Sequence, residues 1–557
     1  MPTATASSTK SIPFSCLPYG IGHHGEGVCL LVQMGDYRVL LDCGLTNIDQ
    51  LVQEQTADHP SKPPIDFVFC SHAHRDHAEG LLKLQELFPE LPIYASSATK
   101  ALLPLNWTGQ ALSLDSVETL PWRSPTEIAP GLIIELFPAG HLPGAATALL
   151  TLTTEKRDYT LFYTGDFSVS HFQLVNGLSV EELRGLKPDV LIIEGSYGTL
   201  RHPHRRQQEK YFTNRLLEAL ETKQSVILPV PRLGLGQEIL KLLRSHHQFT
   251  GKKIDIWVEG NVAKACDQYL DILQELPLTV QNFAKHQALF WDDRVYPRMH
   301  RLKAKEYPDL SQGQHIIITD YTNDFGQYCS NSENTCLLLL PEHPGVWLNF
   351  DEPPLAAIAP QKNVQIETYL LAEHSDGRNT TQLIHNLRPQ HIIFFHGSDD
   401  DLSNLTALEE LQNRYQLHCP AAGSLVELPV GETFIQPAVP QRTEYEGEIN
   451  DLGAWVTLSL PNTICEDPRW QTFADTGLVE AHWQGEELVI RGINERELLR
   501  SQTDLERFAN LDCCINCRFQ KSMRCQQQKS PLYRFKVTPE GYCPEFEAIA
   551  YPTNLDS

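Results

Sequence analysis

No apolar run in this chain approaches the roughly 20 residues that a membrane-spanning helix needs. Its first ten residues, Met1-Pro-Thr-Ala-Thr-Ala-Ser-Ser-Thr-Lys10, lack the apolar core of a secretion signal. The expectation is a cytoplasmic protein with a short disordered lead and no membrane partner. Positive charge is also scarce. Against 70 Asp and Glu stand 45 Lys and Arg, a formal net charge of -25. Nonspecific adhesion to nucleic acid needs clustered cations, so this chain would have to hold a polyanion through bound metals and local basic patches. Two such clusters exist, Arg201-His-Pro-His-Arg-Arg206 and the run Arg294, Arg298, Arg301, Lys303, Lys305. A solvated face is the commoner meaning of either. Internal repeats and long low-complexity tracts are absent too.

Nine of the 14 cysteines are scattered between positions 16 and 465, several in apolar stretches (Cys29, Cys70), as expected of buried reduced thiols. The other five crowd together at Cys513, Cys514, Cys517, Cys525 and Cys543. Four of them, Cys514, Cys517, Cys525 and Cys543, have a spacing suited to structural zinc or an iron–sulfur cluster. Free cysteines in a small core are the alternative, and Cys513 is supernumerary in either case.

The densest chemistry lies in Ser71-His-Ala-His-Arg-Asp-His-Ala-Glu-Gly80, directly after the apolar run Ile65-Asp-Phe-Val-Phe-Cys70. His72, His74, Asp76 and His77 fall within six residues. Imidazole nitrogen and carboxylate oxygen are the donors that zinc-like divalent cations prefer, and a loop at a strand end can aim several of them at one point.

The surrounding pattern is of strands that end in polar groups. Gly27–Val32 and Tyr37–Asp42 flank a Gly35-Asp36 turn and read as a hairpin that delivers Asp42 to its end. Apolar runs at 131–137, 159–163 and 189–193 precede His141, Asp166 and Glu194; those at 364–371 and 391–395 precede His374 and His396. From about 200 to 360 strands alternate with helical patterns, which predicts a parallel α/β insert. A Pro-, Gln- and acid-rich linker, Gln436 to Asn450, precedes the C-terminal region.

The ordered strings Leu40-Leu-Asp-Cys-Gly44, Ser71-His-Ala-His-Arg-Asp-His77, Ala139-Gly-His-Leu-Pro-Gly-Ala145, Tyr163-Thr-Gly-Asp-Phe167, Glu194-Gly-Ser-Tyr-Gly198, the His374 segment and Phe395-His-Gly397 resemble the metallo-β-lactamase superfamily, and within it the β-CASP nucleases, over about residues 14–430. The resemblance implies an α/β fold: a metallo-β-lactamase αββα sandwich in two parts (14–199 and 361–435) with a β-CASP insert (200–360), followed by a small Cys-rich C-terminal domain (450–557). It also implies two Zn²⁺ ions, with manganese as the alternative. His72, His74 and His141 would hold one, Asp76, His77 and His396 the other, and Asp166 would bridge them. Two neighbouring cations lower the pKa of a shared water and offset charge on a phosphoryl transition state.

Asp42 would orient the ligand imidazoles, although an acidic residue at a strand end often only caps a turn. Asp76 counts among the catalytic group as well as the ligands. His374, hydrogen-bonded to Glu194, would protonate the leaving oxygen, since imidazole gives and takes protons near neutral pH. Tyr197 and Arg201 are candidates to touch a substrate phosphate, but packing or solvent exposure explains them equally well.

The implied activity is cleavage of RNA, expected to be single-stranded, leaving 5′-phosphate and 3′-hydroxyl ends. A homodimer is a further expectation. The alternatives are hydrolysis of a smaller ester or thioester, and a non-catalytic RNA-binding subunit. The chain departs from the family where a glycine-rich phosphate grip belongs: Thr319-Asp-Tyr-Thr-Asn-Asp-Phe-Gly-Gln327 is acidic, with one glycine. His396 is likewise followed by Gly-Ser-Asp-Asp-Asp401 rather than by Gly-Glu. Extra carboxylates repel anions, so an altered substrate grip is expected.

Overall fold

The structure, a computed structural model, describes residues 14–22, 26–56, 65–107, 113–302, 315–323, 328, 335–342, 363–431 and 434, and in the C-terminal part 448–451, 456–459, 479–484, 487–492, 517–521, 524–530, 533–534 and 547. Contacts divide it into two compact units, 1–440 and 441–557.

Two seven-stranded sheets dominate the first unit. In the first sheet Phe14–Ile21, Val28–Met34 and Tyr37–Leu41 run antiparallel, and Phe67–Phe69, Ile93–Ala95 and Val117–Thr119 continue in parallel. The hairpin expected around Gly35 forms, with that glycine at a φ of 64°, where a residue without Cβ is not strained. In the second sheet Val190–Glu194 lies between Asp158–Tyr163 and His391–Phe395, parallel to both.

Side chains alternate along these strands. Val39 and Leu41 join a core that also holds Ile134, Leu161 and Ile192 of the other sheet, whereas Leu40 points into a second core with Leu81 and Leu84 of the helix Leu81–Leu87. The second sheet does the same: Ile393 faces the first sheet, while Ile392 packs with Leu383 and Leu387 of the helix Gly377–Leu387. The result is the αββα sandwich. Strands covered on both faces are apolar throughout, and each large apolar side chain buried contributes about 1.5–3 kcal/mol.

The expected parallel insert is also present. Its six strands run in the order Arg298–Arg301, Asp255–Val258, His315–Asp320, Ser225–Val230, Cys336–Pro341, Val364–Tyr369, every pair parallel. The helices Arg205–Glu221, Leu235–Ser245 and Gly260–Asp271 bury Leu216, Ile239 and Val262 in the same core as Val226, Leu228 and Ile256. One sequence expectation is corrected. Val364–Tyr369 pairs with Cys336–Pro341 in the insert sheet rather than returning to the sandwich after 360. A short buried strand carries the same apolar pattern in either sheet, and its partner lies outside the local sequence.

Among the described residues of the second unit there are three antiparallel pairs: Glu448–Asp451 with Val456–Ser459, Val479–Gln484 with Glu487–Gly492, and Gln520–Lys521 with Arg524–Cys525. The end of the expected linker is therefore strand, while 436–447 lies outside the described residues. No described helix is long and apolar enough to cross a membrane.

Candidate metal centre

Most of the predicted site residues leave a strand at its C-terminal end. Tyr37–Leu41 releases Asp42 and Phe67–Phe69 releases His72 and His74; these strands are parallel, and the Asp42 N–H donates to the Phe69 carbonyl at 2.8 Å. Leu132–Pro138, Asp158–Tyr163 and His391–Phe395 release His141, Asp166 and His396. Asp76 and His77 sit on the short helix Arg75–Ala78. The fold thus brings together groups spread over more than 300 positions: His72, His74, His141 and Asp166 form one set, and Asp76, His77 and His396 another.

Asp166 lies between the two sets and is 1% exposed. Around its Oδ2 stand His77 Nε2 at 3.2 Å, His72 Nε2 at 3.5 Å, His141 Nε2 and His396 Nε2 at 3.8 Å, and His374 Nδ1 at 4.0 Å. Among the described residues neither Asp166 oxygen has a well-formed hydrogen bond, and His77 Nε2 has none beyond its 3.2 Å approach to Asp166. Buried polar atoms are normally paired, so such orphans at one point need a reason.

The far side of each ring supplies it. His72 Nδ1 lies 3.0 Å from Ser71 Oγ, whose own proton goes to Asp42 Oδ2 at 2.7 Å, so the imidazole donates there. His77 Nδ1 donates to Asp42 Oδ2 at 2.7 Å, His141 Nδ1 to the Glu373 carbonyl at 2.9 Å, and His74 Nε2 to the Leu233 carbonyl at 3.4 Å. His396 Nδ1 donates to Ser196 Oγ at 2.8 Å, and that hydroxyl in turn bonds Glu194 Oε2. These partners fix the tautomers, so the inward nitrogens carry lone pairs. His74 Nδ1 then stands 3.2 Å from His72 Nε2 and 3.0 Å from His141 Nε2, lone pair against lone pair. A cation between them, or a proton on one of the facing nitrogens, makes such an arrangement favourable, and this donor set fits divalent metal.

Ionisation divides these rings into two kinds, neutral ones and ones that hold a proton where a metal ion would otherwise bind. Burial holds His72 and His141 well below the usual imidazole range, which keeps them neutral. Burial opposes charge on His77 and His396 as well, but the carboxylates of Asp166, Asp42 and Asp76 outweigh it, and His396 is raised to about 9. Burial likewise works against ionised Asp76 and Asp166, yet the neighbouring imidazoles hold both well below the usual carboxylate range. The site therefore attracts positive charge wherever a carboxylate faces it, and metal ions displace protons from such donors.

His374 approaches from the segment that follows the insert sheet. Its Nδ1 lies 3.1 Å from Glu194 Oε1, and that oxygen also accepts the Phe167 N–H at 2.9 Å. Glu194 and His396 are near neighbours because Glu194 pairs with Phe395 across parallel strands.

A cavity of about 410 Å³ opens over the cluster. Its sandwich wall includes His74, Asp76, Asp166, His374 and His396; its opposite wall comes from the insert, with Arg232, Leu233 and Tyr321. In the described part of the acidic segment, 319–323, Asp320 is less repulsive than composition suggests. Asp320 Oδ2 accepts from Arg232 Nε and Asn261 Nδ2, both at 3.3 Å, and Oδ1 accepts from Thr322 N and Oγ1 at 3.0 and 2.8 Å. Residues 324–327 lie outside the described residues.

Other expectations divide. Tyr197 is buried; its hydroxyl donates to the Glu342 carbonyl and its ring packs edge-on against His202 and His374, while Arg201 is exposed. In the second basic run Arg294 pairs with Asp292 and Arg301 with Asp267, so two of its charges are offset; Lys303 and Lys305 lie outside the described residues. Cys517 and Cys525 are buried thiols, and Cys513, Cys514 and Cys543 lie outside the described residues. Sequence reasoning missed the supporting Ser71, Tyr163, Ser196 and the Glu373 carbonyl. Ser71 and Ser196 stand inside the very strings that carry the ligands, whereas a backbone carbonyl leaves no residue-type signal.

The family model described as "Beta-lactamase superfamily domain" matches residues 37–225. The chain is 48% identical over 547 residues to an uncharacterized protein of Synechocystis sp., covering 96% of this chain and 97% of that one. It is 24% identical over 439 residues to cleavage and polyadenylation specificity factor 73 of Drosophila melanogaster, a match covering 72% of this chain and 62% of that protein. To Integrator complex subunit 11 of Danio rerio it is 23% identical over 477 residues, covering 76% and 75%.

Proposed function

The chain belongs to the β-CASP family of the metallo-β-lactamase superfamily, and from that premise we propose a zinc-dependent ribonuclease acting on single-stranded RNA. The observation that carries this reading is the gathering of imidazole nitrogens around Asp166 Oδ2, with lone pairs turned inward. Similarity to a cleavage and polyadenylation specificity factor supports RNA as the substrate.

In this reading His72, His74 and His141 would hold one cation and Asp76, His77 and His396 the other, with the Asp166 carboxylate within reach of both sets. Divalent cations in such a site supply an activated water at neutral pH and offset phosphoryl charge. Asp42 and Ser71 orient the His72 and His77 rings, and the Glu373 carbonyl orients His141. His374 protonates the leaving oxygen. With Nδ1 held by Glu194, its Nε2 carries the transferable proton to the 3′-oxygen as the phosphorus–oxygen bond breaks. The products are a 5′-phosphate and a 3′-hydroxyl.

The test is cleavage of a 5′-labelled single-stranded RNA by wild type and His374→Ala, with zinc or manganese supplied. The expected result is cutting by wild type and a loss of about 10²–10⁴ in rate for the variant, with metal content unchanged. Equal cutting by both removes His374 as the acid; no cutting by either metal-loaded protein removes the ribonuclease reading.

Cys514, Cys517, Cys525 and Cys543 are proposed as a separate zinc or iron–sulfur site. The expectation is metal beyond two equivalents in the purified chain, lost in Cys525→Ser. Metal content identical in wild type and variant excludes it.

A further inference from the structure

His374 stands two residues beyond Ala372, and one helix of the insert grips the Ala372 backbone on both sides. The Ala372 N–H donates to Gln208 Oε1 at 2.9 Å, and the Ala372 carbonyl accepts from Arg205 Nη1 at 2.9 Å. Both side chains belong to the first turn of Arg205–Glu221, and each is only 5% exposed. Arg205 thus leaves the basic cluster that its sequence neighbours suggested and becomes an interior group.

Each gripping side chain is itself held. Gln208 Nε2 donates to the Pro203 carbonyl at 2.7 Å. The Arg205 guanidinium lies 4.5 Å over the Phe172 ring, and its Nε donates to Glu209 Oε1 at 3.3 Å.

The gripped peptide is the link between the strand Val364–Tyr369 and the helix Gly377–Leu387. On its other side Glu373 offers its carbonyl to His141, and the Ser375 N–H donates to the Phe167 carbonyl at 2.9 Å. Stability alone gives little reason for this design. A buried guanidinium and amide cost desolvation, and apolar residues of similar volume commonly stabilise as well or better. What polar groups add is a fixed position for one peptide, and a proton donor loses rate steeply when misplaced.

We infer that Arg205 and Gln208 are positioning residues for His374, fixing the two peptide groups that flank Ala372 so that the imidazole meets the leaving oxygen. The inference rests on reading His374 as the general acid.

Two substrates separate this role from a merely structural one. RNA leaves through an alkoxide that needs a proton; bis(p-nitrophenyl) phosphate leaves through a nitrophenolate that does not. Gln208→Met keeps the length of the side chain and removes the acceptor, while Gln208→Glu keeps an acceptor oxygen. The expected result for the full chain is that Gln208→Met loses about ten- to hundredfold in kcat on RNA, hydrolyses the aryl diester near the wild-type rate, keeps its metal, and is rescued substantially by Gln208→Glu. Equal loss on both substrates, loss of metal, unchanged RNA cleavage, or Gln208→Glu as impaired as Gln208→Met overturns the inference. His374→Ala is run beside them. If it shows the RNA-selective loss and Gln208→Met does not, the positioning role fails alone; if His374→Ala loses equally on both substrates, the acid assignment fails and takes the inference with it.

Discussion

Asp42 Oδ2 accepts the Nδ1–H of His77 at 2.7 Å, with both side chains fully buried and Asp42 held at a φ of 59°. The same oxygen accepts the hydroxyls of Ser71 and Tyr163 at 2.7 and 2.6 Å, and Oδ1 accepts the Ser71 N–H at 2.6 Å. All four of these groups are donors. Asn tolerates the left-handed backbone nearly as well as Asp, so Asp42→Asn isolates the chemistry from the fold. The amide NH₂ must face at least one of these donors, and the His77 tautomer loses its anchor. The expected outcome is a loss of about 10–100-fold in metal affinity, read by competition with a chromogenic chelator. Unchanged affinity refutes the orienting role.

Asp166 is the group on which the two ligand sets converge. Asp166→Ala leaves facing imidazoles with no carboxylate between them, so the full chain should emerge from purification with well under the wild-type metal content by elemental analysis. Full occupancy would falsify the shared position of Asp166.

The candidate site residues were legible because most occupy a short string at the end of an apolar strand, and parallel strands deliver their ends to one edge. Asp42, His72, His141, Asp166 and His396 could be named that way before any pairing was known. What the sequence could not reveal depends on partners far away in the chain. Val364–Tyr369 looks like any buried strand, and only its pairing with Cys336–Pro341 places it in the insert. Arg205 reads as one more charge in a basic run until the Ala372 carbonyl and the Phe172 ring enclose it. Asp320 reads as repulsive until Arg232 pairs with it.

Gly22 sets the position of His396. It adopts a φ of 77°, and a Cβ there would come within 2.7 Å of His396 Cδ2. The adjacent Ile21 carbonyl accepts the His396 N–H at 2.6 Å, while His396 itself has a φ of 53°. Gly22→Ala adds backbone strain of about 1–2 kcal/mol and pushes on the imidazole. The variant should fold, bind one metal equivalent with wild-type affinity and the second more weakly, as resolved by stepwise titration. Two equivalents bound with unchanged affinity would show that the ring yields without cost.

Glu238 links pH to the contact between the insert and the sandwich. It projects from the helix Leu235–Ser245 and accepts the N–H groups of Gln173 and Leu174 at 2.6 and 2.9 Å. Burial raises its pKa to about 7, with Glu373 adding to the rise and Arg205 and the two N–H groups opposing it. An unfolded chain releases this proton near the ordinary value of 4.5, so between 4.5 and 7 the folded state binds more protons than the unfolded one. Stability from this group is therefore full below pH 4.5 and falls as pH rises to about 7, by on the order of 3 kcal/mol over the whole window. Glu238→Gln removes the ionisation and keeps one acceptor. Thermal unfolding of the two proteins at pH 5 and pH 8 should show wild type losing more stability across that interval than Glu238→Gln. Parallel losses in both would mean that the carboxylate stays ionised in the fold, its charge carried by Arg205 and the two backbone donors.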